Sequence, residues 1–173
     1  MNLQVLHSIY HCDYHESVKH SLHLVAAIVG CELVGVLGGV FTASAIPVWY
    51  MNLNKPVFSP PNWVFGPVWT LLYLLMGIAV YLVWIQKSTQ KTKISLTFFI
   101  AQLIFNFLWS VLFFAMQSPL FALVDIIILW LLIVGTIIKF YPLSKIAAYL
   151  LVPYLVWVSF ATILNASIVV LNP

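Results

Sequence analysis

Five stretches of this chain are apolar almost without interruption, and the polar residues collect in the gaps between them. The stretches fall near 22–46, 64–86, 94–116, 120–141 and 144–171. Each is long enough to cross a hydrocarbon core, which takes about 20 helical residues. None shows the two-residue alternation of a barrel strand. Inside lipid every backbone N–H and C=O needs an internal partner, and a helix supplies one within a single segment. The pattern therefore predicts an all-α integral membrane protein: a polar, mobile tail over 1–21, then a five-helix transmembrane bundle over 22–173. The connections at 87–93, 117–119 and 141–145 are short, which makes successive helices antiparallel neighbours. The loop at 47–63 is longer than the ~2–8 residues usual between bundled helices, and loops of that kind are commonly functional.

That loop runs into the second span as KPVFSPPNWVFGPVWTLLYLLMG, Lys55–Gly77. Pro56, Pro60 and Pro61 fix φ and remove donors, so this stretch resists helix. Pro67 suits a first helical turn, where its missing N–H has no intrahelical partner to lose. With Trp49, Tyr50, Phe58 and Trp63 nearby, the loop is expected to be packed and ordered, a lid between helices 1 and 2.

Composition agrees with the pattern. The chain is 64% hydrophobic and 6% charged, with mean hydropathy +1.08, against about 25% charged residues in soluble domains. All seven bases are lysines. Lys19, Lys87, Lys91, Lys93, Lys139 and Lys145 fall on one side of the predicted topology and Lys55 alone on the other. The positive-inside rule then places the N-terminus in the cytoplasm and the proline-rich loop outside. The net charge of +3 reflects that asymmetry, and no basic patch with interleaved aromatics marks a nucleic-acid partner. Cys12 and Cys31 do not form a disulfide framework. Residues 1–21, with Asp13, Glu16 and four histidines, lack the apolar core of a cleaved signal.

Several spacings carry candidate chemistry. Phe65, Trp69 and Tyr73 share one helical face, as do Trp157, Ala161 and Leu164. The small Ala161 leaves a concavity in which a flat aromatic ligand can stack, with helix packing as the alternative. Gln102 and Asn106 lie one turn apart, with Asn165 on the fifth span; such amides glue helices or anchor a ligand's polar group. Glu32 sits near the middle of the first span without a base at similar depth, at a cost of roughly 2.5–3.5 kcal/mol. It is expected to be protonated or to face the bundle interior, at the cavity or a helix seam. Asp125 lies early in the fourth span, where the helix dipole favours an acid. Gly35-x-x-x-Gly39 permits close helix approach, inside the bundle or at a dimer seam. His7, His11 and His15 are spaced as metal or haem ligands on a helix, against a solvated tail. No nucleophile–base pair, metal signature or phosphate loop is present, so no metal site is expected and a hydrolase or ATPase is not supported.

Four separated motifs, in order, resemble one family. They are Lys55–Gly77, AQLIFNFLWSVLFF (Ala101–Phe114), ALVD (Ala122–Asp125) and PYLVWVSFATILN (Pro153–Asn165). Together they look like the tryptophan-rich sensory protein / translocator protein family (TspO/MBR, peripheral benzodiazepine receptor-like), over roughly residues 30–165. The resemblance implies a five-helix bundle, often a homodimer, whose first loop closes over a pocket. It implies binding of tetrapyrroles such as protoporphyrin IX and haem as ligands rather than required cofactors, in sensing, sequestration or transport. Alternatives are light-dependent porphyrin degradation and sterol or lipid carriage. By resemblance the pocket positions are Trp49 on the loop, Phe65 and Trp69 on the second helix, Asn106 and Trp109 on the third, Phe121 and Ile128 on the fourth, and Trp157, Ala161 and Leu164 on the fifth. Trp69 and Trp157 match the tryptophans tied to porphyrin breakdown. A bacterial cytoplasmic membrane is the default location.

The departures are also specific. Phe58, Phe107 and Phe121 stand where family members often carry Trp, and a phenyl ring lacks the indole donor. The final stretch, LNASIVVLNP, lacks the aromatic and base of the sterol motif of animal members, itself a weak pattern.

Overall fold

The computed structural model describes residues 3–173, with side chains from Lys19 onward. The histidine spacing at His7, His11 and His15, with Cys12 and Asp13, lies outside the described side chains. Among the described residues the architecture is all-α. Helix α1 is Leu3–Ala45, α2 Phe65–Trp84, α3 Gln90–Ser110, α4 Pro119–Phe140, α5 Lys145–Leu150 and α6 Val152–Leu171. α1 runs on without a break at the boundary between the expected tail and the first span.

Five segments are long and apolar enough to cross a membrane: Lys19–Ala45, Asn62–Trp84, Gln90–Ala115, Pro119–Phe140 and Lys145–Leu171. The protein is a five-span membrane bundle, and the spans match the hydrophobic pattern to within a few residues. Local chemistry sets their ends. The Thr89 hydroxyl accepts from the Thr92 N–H at 3.2 Å and opens α3, and Ser144 does the same for α5 through Ala147 N–H at 3.2 Å. These side-chain oxygens satisfy donors that the first turn leaves orphaned. Pro119 stands at the start of α4, a position that needs no N–H.

Two irregularities shape the bundle. The fifth span is divided at Leu151, because Pro153 in the first turn of α6 has no N–H to continue the ladder from α5. The third span ends in a wide π-turn, Val111–Ala115. Its closing bonds run from Met116 N–H to Val111 O at 2.8 Å and from Ser118 N–H to Leu112 O at 3.0 Å. Gln117 adopts a left-handed φ of 52° to reverse the chain. The widened turn accompanies Phe113 and Phe114, both buried in the aromatic cluster beneath the loop.

α1 packs along α2, α3 along α4, and α4 along α6. Glycines set the closest approaches. A Cβ on Gly77 would lie 2.6 Å from the Ile28 Cα, and one on Gly35 would lie 2.3 Å from Cε2 of Tyr73. Gly35 therefore serves a seam within the bundle. Gly39, its partner in the sequence motif, meets nothing within 4 Å.

The loop between α1 and α2 is ordered, as its proline and aromatic content predicts. Lys55 Nζ donates to the carbonyls of Tyr50 (2.7 Å), Leu53 (3.2 Å) and Met51 (3.3 Å) and stands 4.8 Å from the centroid of the Tyr50 ring. Asn172, past the end of α6, holds the loop by two bonds: Asn54 N–H donates to its Oδ1 and its Nδ2 donates to the Asn54 carbonyl, both at 2.9 Å.

Candidate functional site

The half of the bundle under this loop is hollow. A cavity of about 370 Å³ lies between α1, α2, the end of α3 and α6, within the ~300–1,000 Å³ range of small-molecule sites. Tyr50 and Asn62 from the loop region line one end, and Glu32 lies in the wall on α1.

Seven of the residues expected at a binding site come together here: Phe65, Trp69, Tyr73, Trp109, Trp157, Ala161 and Leu164. Their rings pack in three groups around the cavity. Phe65 meets Trp157 edge-on at 6.0 Å. Trp69 lies 5.5 Å from Tyr73 and 6.1 Å from Tyr154. Trp109 stacks on Phe113 at 5.1 Å. Offset and edge-on geometries of this kind suit the ring quadrupole. Ala161 supplies the concavity that its spacing between Trp157 and Leu164 implies.

Trp49 does not line the cavity. It packs edge-on against Phe113 at 5.5 Å, so it supports a lining ring from behind. Asn106 also lies outside the lining. Its Oδ1 accepts from the Tyr73 hydroxyl, and its Nδ2 donates to the Tyr154 hydroxyl at 2.9 Å. The amide fixes Tyr73 in the wall, and its role is positioning rather than ligand contact. Asn165, which does line the cavity, likewise spends its amide within the bundle: it accepts from Trp109 Nε1 at 3.1 Å and donates to the Pro119 carbonyl at 2.9 Å.

Phe121 and Ile128 are corrections. They are 62% and 39% exposed on the outside of α4. The buried stripe of that helix is Ala122, Asp125, Ile126, Leu129, Ile133, Thr136 and Phe140. Phe121 and Ile128 fall off that stripe, on the flank of α4 beyond Asp125. Asp125 is buried, and neither carboxyl oxygen has a hydrogen-bond partner among the described residues; the same holds for Gln102 Oε1. Asp125 also lies beyond the first turn of α4, where the dipole effect has fallen away.

Pattern reading left several lining residues out: Gly39, Thr42, Asn62, Thr70 and Ser110. Small and hydroxyl residues carry no periodic signal of their own. Glu32 does line the cavity, one of the two places its mid-span position pointed to. On the loop, burial pushes the Tyr50 phenol above its ordinary range, partly opposed by a hydrogen bond with Ser59. Among the described residues no group of three or more His, Cys, Asp or Glu side chains is placed to hold a metal.

The sequence profile of the TspO/MBR family matches residues 27–171. The chain belongs to this family. A TspO/MBR relative named tryptophan-rich protein TspO, from Archaeoglobus fulgidus, is 48% identical over 151 residues, covering 87% of this chain and 97% of that protein. The protein of the same name from Chlorobaculum tepidum is 45% identical over 159 residues, covering 90% and 99%. The human translocator protein is 41% identical over 119 residues, covering 68% of this chain and 70% of its own length. The matched region contains the whole cavity lining.

Proposed function

We propose that this TspO/MBR protein is a membrane receptor or carrier for tetrapyrroles or similarly flat hydrophobic ligands. The observation that carries this reading is the cavity itself: about 370 Å³, walled by Trp69 on α2, Trp109 on α3 and Trp157 on α6, and ending at an ordered loop. Ring walls favour a planar apolar ligand. The Trp69 and Trp157 indoles and the Asn62 amide are the neutral donors for a ligand's carboxylate. Lys55 is engaged with the loop's own carbonyls. In this reading the loop is a lid, and Asn172 latches it. The lysine asymmetry puts that lid outside a bacterial cytoplasmic membrane, with the N-terminus in the cytoplasm, and the active form is a homodimer.

The test is a titration of the solubilised protein with protoporphyrin IX in the dark, following tryptophan fluorescence and porphyrin absorbance, and then under light. Saturable quenching with stable porphyrin bands is the expected result for a binder. Protein-dependent loss of the bands under light, stopped by Trp69→Phe or Trp157→Phe, would replace it with the degradative reading. No saturable quenching at micromolar ligand would end the tetrapyrrole reading and turn attention to sterols or other lipids.

A further inference from the structure

A second recess, of about 420 Å³, lies between α1, α2 and α3. It shares no lining residue with the aromatic cavity. Its wall carries no charged side chain and includes Ala26 and Gly30 on α1, Trp84 at the end of α2, and Leu96 and Ile100 on α3. A Cβ on Gly30 would meet nothing within 4 Å, so the wall there is bare. Ala26, Gly30 and Ile100 are exposed, and on membrane spans an exposed apolar face opens to lipid. On α3 the recess runs from Leu96 to Leu103, about 10 Å at 1.5 Å per residue. It starts less than two turns past Gln90, where the span opens. The recess therefore lies within one leaflet of a hydrocarbon core about 30 Å thick.

The first and third spans begin, and the second ends, on the same side of the membrane, and each brings a lysine to it. Lys93 lies on the face of α3 that continues through Leu96, Ile100 and Leu103, one turn before the recess. Lys87 follows Trp84 by three residues, at most about 11 Å of chain. Lys19 lies one turn before His23, whose ring meets Trp84 edge-on at 4.9 Å, and on the same seam His20 Nδ1 stands 3.5 Å from the Tyr81 hydroxyl. All three lysines are exposed. Among the described residues no acid shares this end: Glu32 is in mid-span and Asp125 is near the opposite end of α4. An apolar slot one leaflet deep with cations at its mouth has the chemistry of a phospholipid, chain in the slot and phosphate among the ammonium groups. A helix from a second copy would instead call for a groove along the whole span.

We propose that this recess seats an acyl chain of an anionic glycerophospholipid, whose phosphate is held by Lys87 and Lys93 with Lys19 at the rim. The site is independent of the ligand assigned to the aromatic cavity.

The test is native mass spectrometry of the full chain, released from micelles of neutral detergent that hold equimolar dioleoyl phosphatidylglycerol and dioleoyl phosphatidylcholine. The two lipids have the same chains, so a preference reads the headgroup alone. The expected result is one retained lipid per chain, with phosphatidylglycerol favoured about tenfold. The double variant Lys87→Gln, Lys93→Gln changes only exposed positions and is expected to keep the wild-type unfolding midpoint while losing most of that preference. Gly30→Leu fills the slot and is expected to lower retention of both lipids several-fold. Ala26→Leu, on the exposed lip, takes its place if the midpoint of Gly30→Leu falls. Equal retention of the two lipids by the wild-type protein overturns the proposal, as does a preference that survives the double lysine variant. Undiminished retention in a folded slot variant also overturns it, because the lipid then sits elsewhere. Loss of the dimer mass in a slot variant, with lipid retention unchanged, would give the recess to a second copy of this chain.

Discussion

The two halves of the bundle use the same materials to opposite results. Away from the loop, Met76, Ala79, Val83, Phe140 and Ala147 are fully buried, and glycines let neighbours touch. Gly77 receives the Ile28 backbone and Gly135 the Phe98 ring, where an added Cβ would come within 2.6 Å and 2.7 Å. Under the loop, Gly39 and Gly66 face open space, and rings stand around a void. Tight glycine seams close the bundle at Gly77 and Gly135, and glycines without neighbours border the void under the loop; Gly30, also without a neighbour, lines a more open recess between α1, α2 and α3 on the other side. Tyr73 and Asn106 mark the border: Tyr73 fills the groove at Gly35 and lines the cavity, and Asn106 holds it there.

The comparison breaks most directly at its glycines. Gly77→Ala forces α1 off α2, and the expected loss is about 1–3 kcal/mol, the usual cost of overpacking. Gly39→Ala has room, and its better helix propensity offsets any loss by up to about 1 kcal/mol. Thermal unfolding in detergent separates the two, and equal losses would erase the distinction between the halves. At the border, Asn106→Ala leaves two buried hydroxyls short of a partner, with an expected cost of about 1–3 kcal/mol. It also frees Tyr73, so flat-ligand affinity weakens alongside stability. A variant that loses stability but binds like wild type would remove Asn106 from the positioning role. The smallest effect belongs to the latch. Asn172→Ala removes two exposed bonds to Asn54, and we expect less than about 1 kcal/mol in unfolding but several-fold faster ligand exchange by stopped-flow quenching. Unchanged exchange would show that the loop does not gate the cavity.

The spans were legible because uninterrupted apolar runs of that length have few folded solutions. The loop's order was legible from its prolines and rings. Trp69, Trp157 and Ala161 were legible from helical spacing together with resemblance. Other features were not. The π-turn at Val111–Ala115 has no proline or glycine to announce it. The break at Leu151 was hidden inside a run long enough to span, although Pro153 is its cause. Phe121 and Ile128 matched by motif, but the rotation of α4 is set by Asp125, Ile126 and Leu129 on its buried stripe. Asn106 was expected either to anchor a ligand or to join helices, and the structure shows the second. Its partners, Tyr73 and Tyr154, come from other helices, and only tertiary structure shows that its hydrogen bonds are already spent.

The central claim is that flat ligands bind in the void against Trp69 and Trp157. Ala161→Phe tests it by placing a phenyl group in the concavity while leaving the solid half of the bundle untouched. The measurement is a dark titration of this variant with protoporphyrin IX by tryptophan quenching, beside its thermal unfolding. The account predicts a folded protein with a wild-type midpoint and affinity reduced by at least about tenfold, or roughly 1.4 kcal/mol. Wild-type affinity in a folded Ala161→Phe protein would contradict it and place the ligand elsewhere on the molecule.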